Sequence, residues 1–316
     1  MVEIQATNAK TSGVSIDPVN LRHLMTLRDG PGLRHFTIWL ALLLGSGYGL
    51  FLSIETGWFI PAMIIYAGIF TETSYAISHE SAHGTYVKTK WLNTVIFWIS
   101  SLIYFEDPVH RYNAHMRHHN FTWINGMDAQ ISINPLHLHT WLLELSSLAP
   151  YWISGKQMIM SALGIHDAFI RSFTPERDLP KQQRAALAFV VIYASIVSAA
   201  WWFDRWDILL IYIIIPRLVG GVIMQLFVIS QHAEMEADQH DIRKSCRSFD
   251  TNWLGRFLGC DMNRHVEHHL YPKVPFHALH DLEKELGDQL PKPATGLFAV
   301  DLEVLSGVLR RTFRVA

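Results

Sequence analysis

Four long apolar runs constrain what this chain can become. Residues 36–54, 58–77, 185–203 and 208–230 are each almost wholly apolar, and about 20 such residues cross a bilayer as one helix. In hydrocarbon every backbone polar group must be bonded within the protein, so runs of this length span as helices. They come in two pairs. Glu55-Thr56-Gly57 joins the first pair and Asp204-Arg205-Trp206-Asp207 the second, connections short enough to make each pair a hairpin. Trp39, Tyr48, Trp58, Trp201 and Trp202 fall near the ends of the runs, where interface aromatics belong. The expected fold is all-α and polytopic: four transmembrane helices in two hairpins, capped on one side by a helical domain. An apolar content of 50% and a charged content of 17% understate this, because the charge is gathered between the runs.

The remaining segments divide as an N-terminal arm (residues 1–34), a membrane domain (35–282) whose cap is residues 79–183 and 231–282, and a C-terminal helical segment (283–316). The arm is polar and lacks the apolar stretch of a signal peptide. A short helix is expected from Asp17, with Pro18 in its first turn and Asp29-Gly30-Pro31-Gly32 ending it. Residues 91–105 are apolar but short for a span, which suggests a buried or re-entrant segment. Residues 139–153 and 157–170 read as amphipathic helices lying in the interface, residues 175–183 as a charged linker, and 302–313 as a helix. Arg217, deep in the fourth run, needs protein or a polar cavity around it. Glu72, late in the second run, suits either the headgroup region or a cavity wall. The hairpin turns carry one arginine, whereas Arg22, Arg28, Arg34, Lys88, Lys90, Arg111 and Arg117 lie on the other side. The positive-inside rule therefore expects both termini and the cap in the cytoplasm. A net charge of -2 points to no nucleic-acid partner. Cys246 and Cys260 form no C-x-x-C pair.

Chemistry is carried by histidine, of which there are 18. His79 and His83 end the second run. His115, His118 and His119 form one H-x-x-H-H string, His265, His268 and His269 a second, and His232 ends the fourth run. Imidazoles at i, i+3 and i+4 are neighbours on one face of a helix. At this histidine content H-x-x-H-H should arise by chance roughly 0.06 times in such a chain, so two copies mark a metal site. Imidazole suits Zn, Cu, Fe and Ni. Eight or nine nitrogen ligands exceed one tetrahedral zinc, so two ions are implied. Asp107, Asp128, Glu234, Asp261 and Glu267 are the nearby carboxylates available to hydrogen-bond the ligands, or to serve as surface charges.

The pattern H-x3-H, H-x2-H-H, H-x2-H-H among two membrane hairpins resembles the integral-membrane fatty acid desaturase superfamily, over about residues 34–282. The resemblance implies a di-iron centre (Fe2+/Fe3+) on the cytoplasmic side that activates O2 and attacks unactivated C–H bonds. By it, His79, His83, His115, His118, His119, His265, His268 and His269 are ligands, and His232 matches the extra ligand many members place there. The stretches around residues 79–93 and 266–279 are similar to a bacterial branch of hydrocarbon and rhizopine oxygenases, which implies the bacterial inner membrane. It leaves hydroxylation, desaturation of an acyl lipid, and oxidative O- or N-demethylation of a small polar substrate all open. There is no H-P-G-G motif of a fused cytochrome b5 domain, so electrons are expected from a separate ferredoxin, a Rieske type among the candidates, with an NAD(P)H-dependent reductase. Lys88, Lys90, Arg111, Arg117, Arg243, Lys244 and Arg247 would offer an acidic carrier a basic face.

Two other readings compete. His79-Glu80-Ser81-Ala82-His83 matches H-E-x-x-H, the zinc peptidase signature with glutamate as base, but leaves two histidine boxes idle. A metal transporter or sensor would place ionisable residues along the spans, whereas these histidines lie at or beyond the span ends.

Overall fold

The computed structural model describes residues 12–131 and 135–313. The start of the N-terminal arm (1–11), a short piece of the cap (132–134) and the last residues of the C-terminal segment (314–316) lie outside the described residues. The fold is helical, and among the described residues the only β feature is an isolated bridge between Phe249 and Ala294.

Asp17 caps α1 (Pro18–Leu24), accepting from Val19 N and Asn20 N, with Pro18 in the first turn. Asp29-Gly30-Pro31-Gly32 does not act as a terminator. It opens α2 (Asp29–Ser53), because proline in a first turn forfeits only an N–H that has no helical partner there. Asp29 is anchored by Thr89, whose N and Oγ1 both donate to it at 2.8 Å. α3 (Phe59–Ala82) returns from the short turn and carries His79 near its end. α4 (Lys90–Tyr104) is the short apolar segment. It lies along α3, held by a 2.9 Å bond between Ser78 Oγ and Ser101 Oγ. Only one face is buried: Trp91, Val95 and Ile99 are exposed.

The cap begins with α5 (Pro108–Asn120). The amphipathic stretch then breaks differently from the pattern expected. Ser147 adopts a left-handed φ of 60° and separates α6 (Leu138–Leu145) from α7 (Leu148–Ala162), and α8 (Ala168–Phe173) stands alone. Leu142, Leu143, Leu148 and Trp152 face outward, as helices lying in an interface should. The charged linker is shorter than the sequence suggests, since α9 (Leu179–Trp202) absorbs residues 179–183 into its first turns.

The fourth span, α10 (Trp206–His232), contains a π-helical turn over Leu210–Ile214 just before Pro216. Proline cannot donate to the carbonyl four residues earlier. The Tyr66 hydroxyl donates to that carbonyl, Tyr212 O, at 3.2 Å. Arg217 faces protein: Nη1 donates to Ile213 O at 3.2 Å, and the guanidinium lies 5.4 Å from the Phe70 ring and 5.5 Å from the Phe105 ring. α3 and α10 pack closely because Gly220 lacks a side chain. A Cβ there would sit 2.0 Å from Ala67 O, and small residues let membrane helices approach in this way. Among the described residues, four helices are long and apolar enough to cross a membrane: Pro18–Ser53, which takes in α1 and α2, Phe59–Ala82, Leu179–Trp202 and Trp206–His232.

After α10 the chain makes α11 (Ile242–Ser245), α12 (Trp253–Leu258), α13 (His265–Leu270), α14 (Leu279–Leu286) and α15 (Leu297–Phe313). Val14 and Leu24 from the arm, Val266 and Leu270 from α13, Leu282 from α14, and Val300, Val304 and Val308 from α15 share one core. That core fixes α13 against the ends of the spans.

Candidate metal centre

Three local devices aim the histidines. α3 runs past its apolar stretch into His79 and His83, one turn apart. α5 is started by Asp107, which accepts from Val109 N at 3.1 Å and His110 N at 2.8 Å, with Pro108 in the first turn. α13 is a helix of six residues, all of them buried.

All nine histidines named from the sequence are buried, and they form two groups. His79, His83, His115, His119 and His268 make one, and His118, His232, His265 and His269 the other; within each group the ligand nitrogens lie within 4.8 Å of one another. Each H-x-x-H-H box is split. In α5, His115 and His119 serve the first group and His118 the second. In α13 the assignment is crossed: His265 and His269 serve the second group and His268 the first. At about 100° per residue, i and i+4 point within about 40° of each other, whereas i+3 points about 60° to the other side. One short helix can thus feed two metal positions.

The Nε2 atoms converge. In the first group His79 and His268 lie 2.8 Å apart, His83 and His115 2.8 Å, and His115 and His119 3.2 Å. In the second, His232 and His265 lie 2.9 Å apart, and His265 and His269 3.0 Å. Two nitrogens at right angles around an ion with bonds of about 2.1 Å are about 3.0 Å apart, so these spacings fit nitrogens sharing one ion. Burial, with the neighbouring imidazoles adding to it, pushes His83, His115, His119, His265 and His269 well below the ordinary histidine range. It pushes His268 down to about 3. These rings are therefore neutral, the form that ligates. The donor set fits two ions that accept imidazole.

The far sides of several rings are held. His118 Nδ1 donates to both Asp128 oxygens, at 3.0 and 2.9 Å. Burial works to raise the Asp128 carboxyl, but His118 and the backbone N–H groups of Gln130 and Trp123 outweigh it and hold the carboxyl below its usual range. His115 Nδ1 meets Gln130 Oε1 at 2.9 Å, His269 Nδ1 meets Thr122 Oγ1 at 3.1 Å, and His232 Nδ1 donates to Ser245 O at 3.0 Å. Gln130, Thr122 and Ser245 carry no sequence signal that would single them out.

Of the five carboxylates considered, Asp128 alone bonds a clustered imidazole among the described residues. Asp107 is a helix cap, its carboxyl pushed up to about 7 by burial. Glu234 pairs with Arg311, Asp261 with Arg256 and His280, and Glu267 accepts from Ser248 Oγ. Their sequence neighbourhood misleads because Glu267 lies on another side of α13 from its ligands, while Asp107, Glu234 and Asp261 lie in caps and turns outside the ligand-bearing helices. Glu80 points away as well, accepting from Phe276 N at 3.1 Å. That removes the base a zinc peptidase needs.

Both groups open on a chamber of about 360 Å³, onto which His79, His115, His118, His232 and His265 face. Arg111 also lines it and is 2% exposed, so it cannot belong to a surface docking patch. Arg243, Lys244 and Arg247 are paired with Asp241, Glu236 and Glu303.

The family model described as Fatty acid desaturase matches residues 56–300. The sn-1 oleoyl-lipid 12-desaturase of Anabaena variabilis is 23% identical over 279 residues, covering 79% of this chain and 75% of that protein. Since the matched segment takes in all nine clustered histidines and three of the four spanning helices, the chain belongs to the fatty acid desaturase family.

Proposed function

We propose that the protein is an O2-dependent, non-haem di-iron oxidoreductase of the membrane, acting on an unactivated C–H bond. The observation that carries this is the pair of buried, all-imidazole groups beside a substrate-sized chamber. Iron held there would supply the activation of O2 toward a C–H bond. His79, His83, His115, His119 and His268 would hold one ion, and His118, His232, His265 and His269 the other. Asp128 keeps the proton of His118 on Nδ1 and so commits Nε2 to the metal. α6 contributes Glu144, and α7 contributes Ile153, Ser154 and Gln157, to the chamber wall. Hydroxylation consumes O2, two electrons and two protons and returns one water; desaturation returns two.

The electrons come from a separate ferredoxin with its NAD(P)H-dependent reductase, and exposed Lys88 and Lys90 are cations on which an acidic carrier can dock. The excess of basic residues on the capped side supports a cytoplasmic orientation for that side, and the proposed location is the bacterial inner membrane. The test supplies the purified protein in lipid discs with iron, ferredoxin, reductase, NADPH and 18O2. An 18O-labelled alcohol means hydroxylation, an unlabelled alkene means desaturation, and formaldehyde means demethylation. Iron-loaded protein that consumes no O2 with any donor or substrate class would refute the proposal. The polar side chains on the chamber wall, among them Arg111, Glu144 and Gln225, favour oxidative demethylation or hydroxylation of a small polar compound as the second reading.

A further inference from the structure

The chamber beside the histidines and the apolar groove of the membrane layer are separate spaces. The groove, about 520 Å³, is walled by Phe70, Ile103, Phe105, Tyr193, Ile213 and Leu218 among others, and no clustered histidine faces it. The chamber is different in kind. Arg111, Glu106, Glu144, Gln157 and Gln225 all line it. Several of these have unused bonding capacity. The Gln225 side chain, 6% exposed, faces the chamber. Arg111 is stacked 4.7 Å over the Tyr75 ring and reaches Glu106 at 3.4 Å, while its Nε and Nη2 have no hydrogen-bond partner among the described residues. Glu144 sits half-buried on the inner side of α6, opposite the outward Leu142 and Leu143, with no charged partner among the described residues. Burial alone raises its carboxyl above the ordinary range.

A hydrocarbon chain in this space would offer no hydrogen-bond partner to Glu144, to Gln225 or to the remaining Arg111 nitrogens, at about 1–3 kcal/mol apiece. A site built from buried polar groups rejects a ligand that cannot bond them far more strongly than an apolar site rejects a polar one. We propose that the chamber takes a compact, water-soluble molecule presenting hydroxyl or ammonium donors, with Glu144 and Gln225 as its specificity-determining contacts, in place of an acyl chain. This rests on the chamber being the substrate site of the oxidoreductase reading. The contacts themselves are independent of turnover.

The test therefore measures binding without chemistry. The full chain in lipid discs is loaded with zinc, which is diamagnetic, and probed by saturation-transfer NMR with glucosamine, glucose and oleate. Expected is saturation of at least one sugar probe, not displaced by oleate, and weakened at least tenfold in Glu144→Leu and in Gln225→Leu. Bound zinc and thermal midpoint serve as the folding control for both variants. A preference for glucosamine over glucose assigns the ammonium donor; equal binding assigns the hydroxyls. Binding of oleate alone, binding of no sugar probe, or unchanged sugar binding in both variants would overturn the proposal. Loss of O2 consumption in the iron enzyme, by contrast, bears on the reaction and not on this site.

Discussion

Asp128→Asn isolates one carboxylate behind one metal position. Asp128 takes four N–H groups: His118 Nδ1 on both oxygens, Trp123 N at 2.8 Å on Oδ2, and Gln130 N at 2.8 Å and Ile131 N at 3.1 Å on Oδ1. Asparagine is isosteric but offers one acceptor oxygen and one NH2. With NH2 at the Oδ2 position, Trp123 N faces a donor. With NH2 at Oδ1, Gln130 N and Ile131 N do. Hydrogen bonds to a charged group contribute about 1.5–3 kcal/mol. Loss of a carboxylate behind a ligating imidazole typically costs about 10–100-fold in metal affinity, which is about 1.4–2.8 kcal/mol. The assay is stepwise removal of iron by a graded chelator from protein in lipid discs. His118 belongs to only one group, so one of two iron equivalents should weaken by that factor while the other stays as in the parent. Two equivalents released at parental affinity would refute the role given to Asp128, and equal weakening of both would refute the division into two groups.

Four further outcomes follow from the same structure. His265→Ala removes a nitrogen from the four-histidine group alone, so metal analysis should find iron falling toward one equivalent per chain. Asp107→Ala should lower unfolding stability by about 1 kcal/mol, the usual worth of a helix cap, with Asp107→Asn near the parent; chemical unfolding in detergent reads both. Gly220→Ala puts a Cβ 2.0 Å from Ala67 O; forcing α3 and α10 apart should cost at least the 1–3 kcal/mol typical of overpacking, read as a lower thermal midpoint and yield. Asp301, which accepts from Ser230 Oγ, has its carboxyl raised by burial to about 6 from an ordinary 3.8. Between those values the folded state binds more protons than the unfolded one, so its contribution to stability is present at low pH and lost as pH rises through about 6. Asp301→Asn should flatten that decline in a pH series of thermal midpoints.

Much of this was legible in the chain, and for identifiable reasons. Hydrocarbon leaves helices little freedom, so run length alone located the four spans. Spacing located the histidines, because i, i+3 and i+4 are neighbours on any helix. The crossing of the two boxes was not legible: the period says that His118 diverges from His115 and His119, but which ion each meets depends on how α13 docks against α5. The partners Gln130, Thr122 and Ser245 were hidden for a related cause. Gln130 and Thr122 sit in a bend and a turn, and Ser245 offers its backbone carbonyl from the end of the four-residue α11; no period applies there, and only tertiary placement brings an oxygen to a ring nitrogen. Asp29-Gly30-Pro31-Gly32 misleads because the same residues that stop one helix can start another. Arg111 misleads because the sign of its charge suggests surface, while its position on α5 puts it between Tyr75 and Tyr104.

The central claim is that the nine histidines hold two iron ions as five and four. Iron analysis with Mössbauer spectroscopy on 57Fe-loaded protein in lipid discs tests it most directly. The account predicts two iron equivalents per chain in two distinguishable environments. A single bound zinc, or one iron equivalent in one environment, would contradict it.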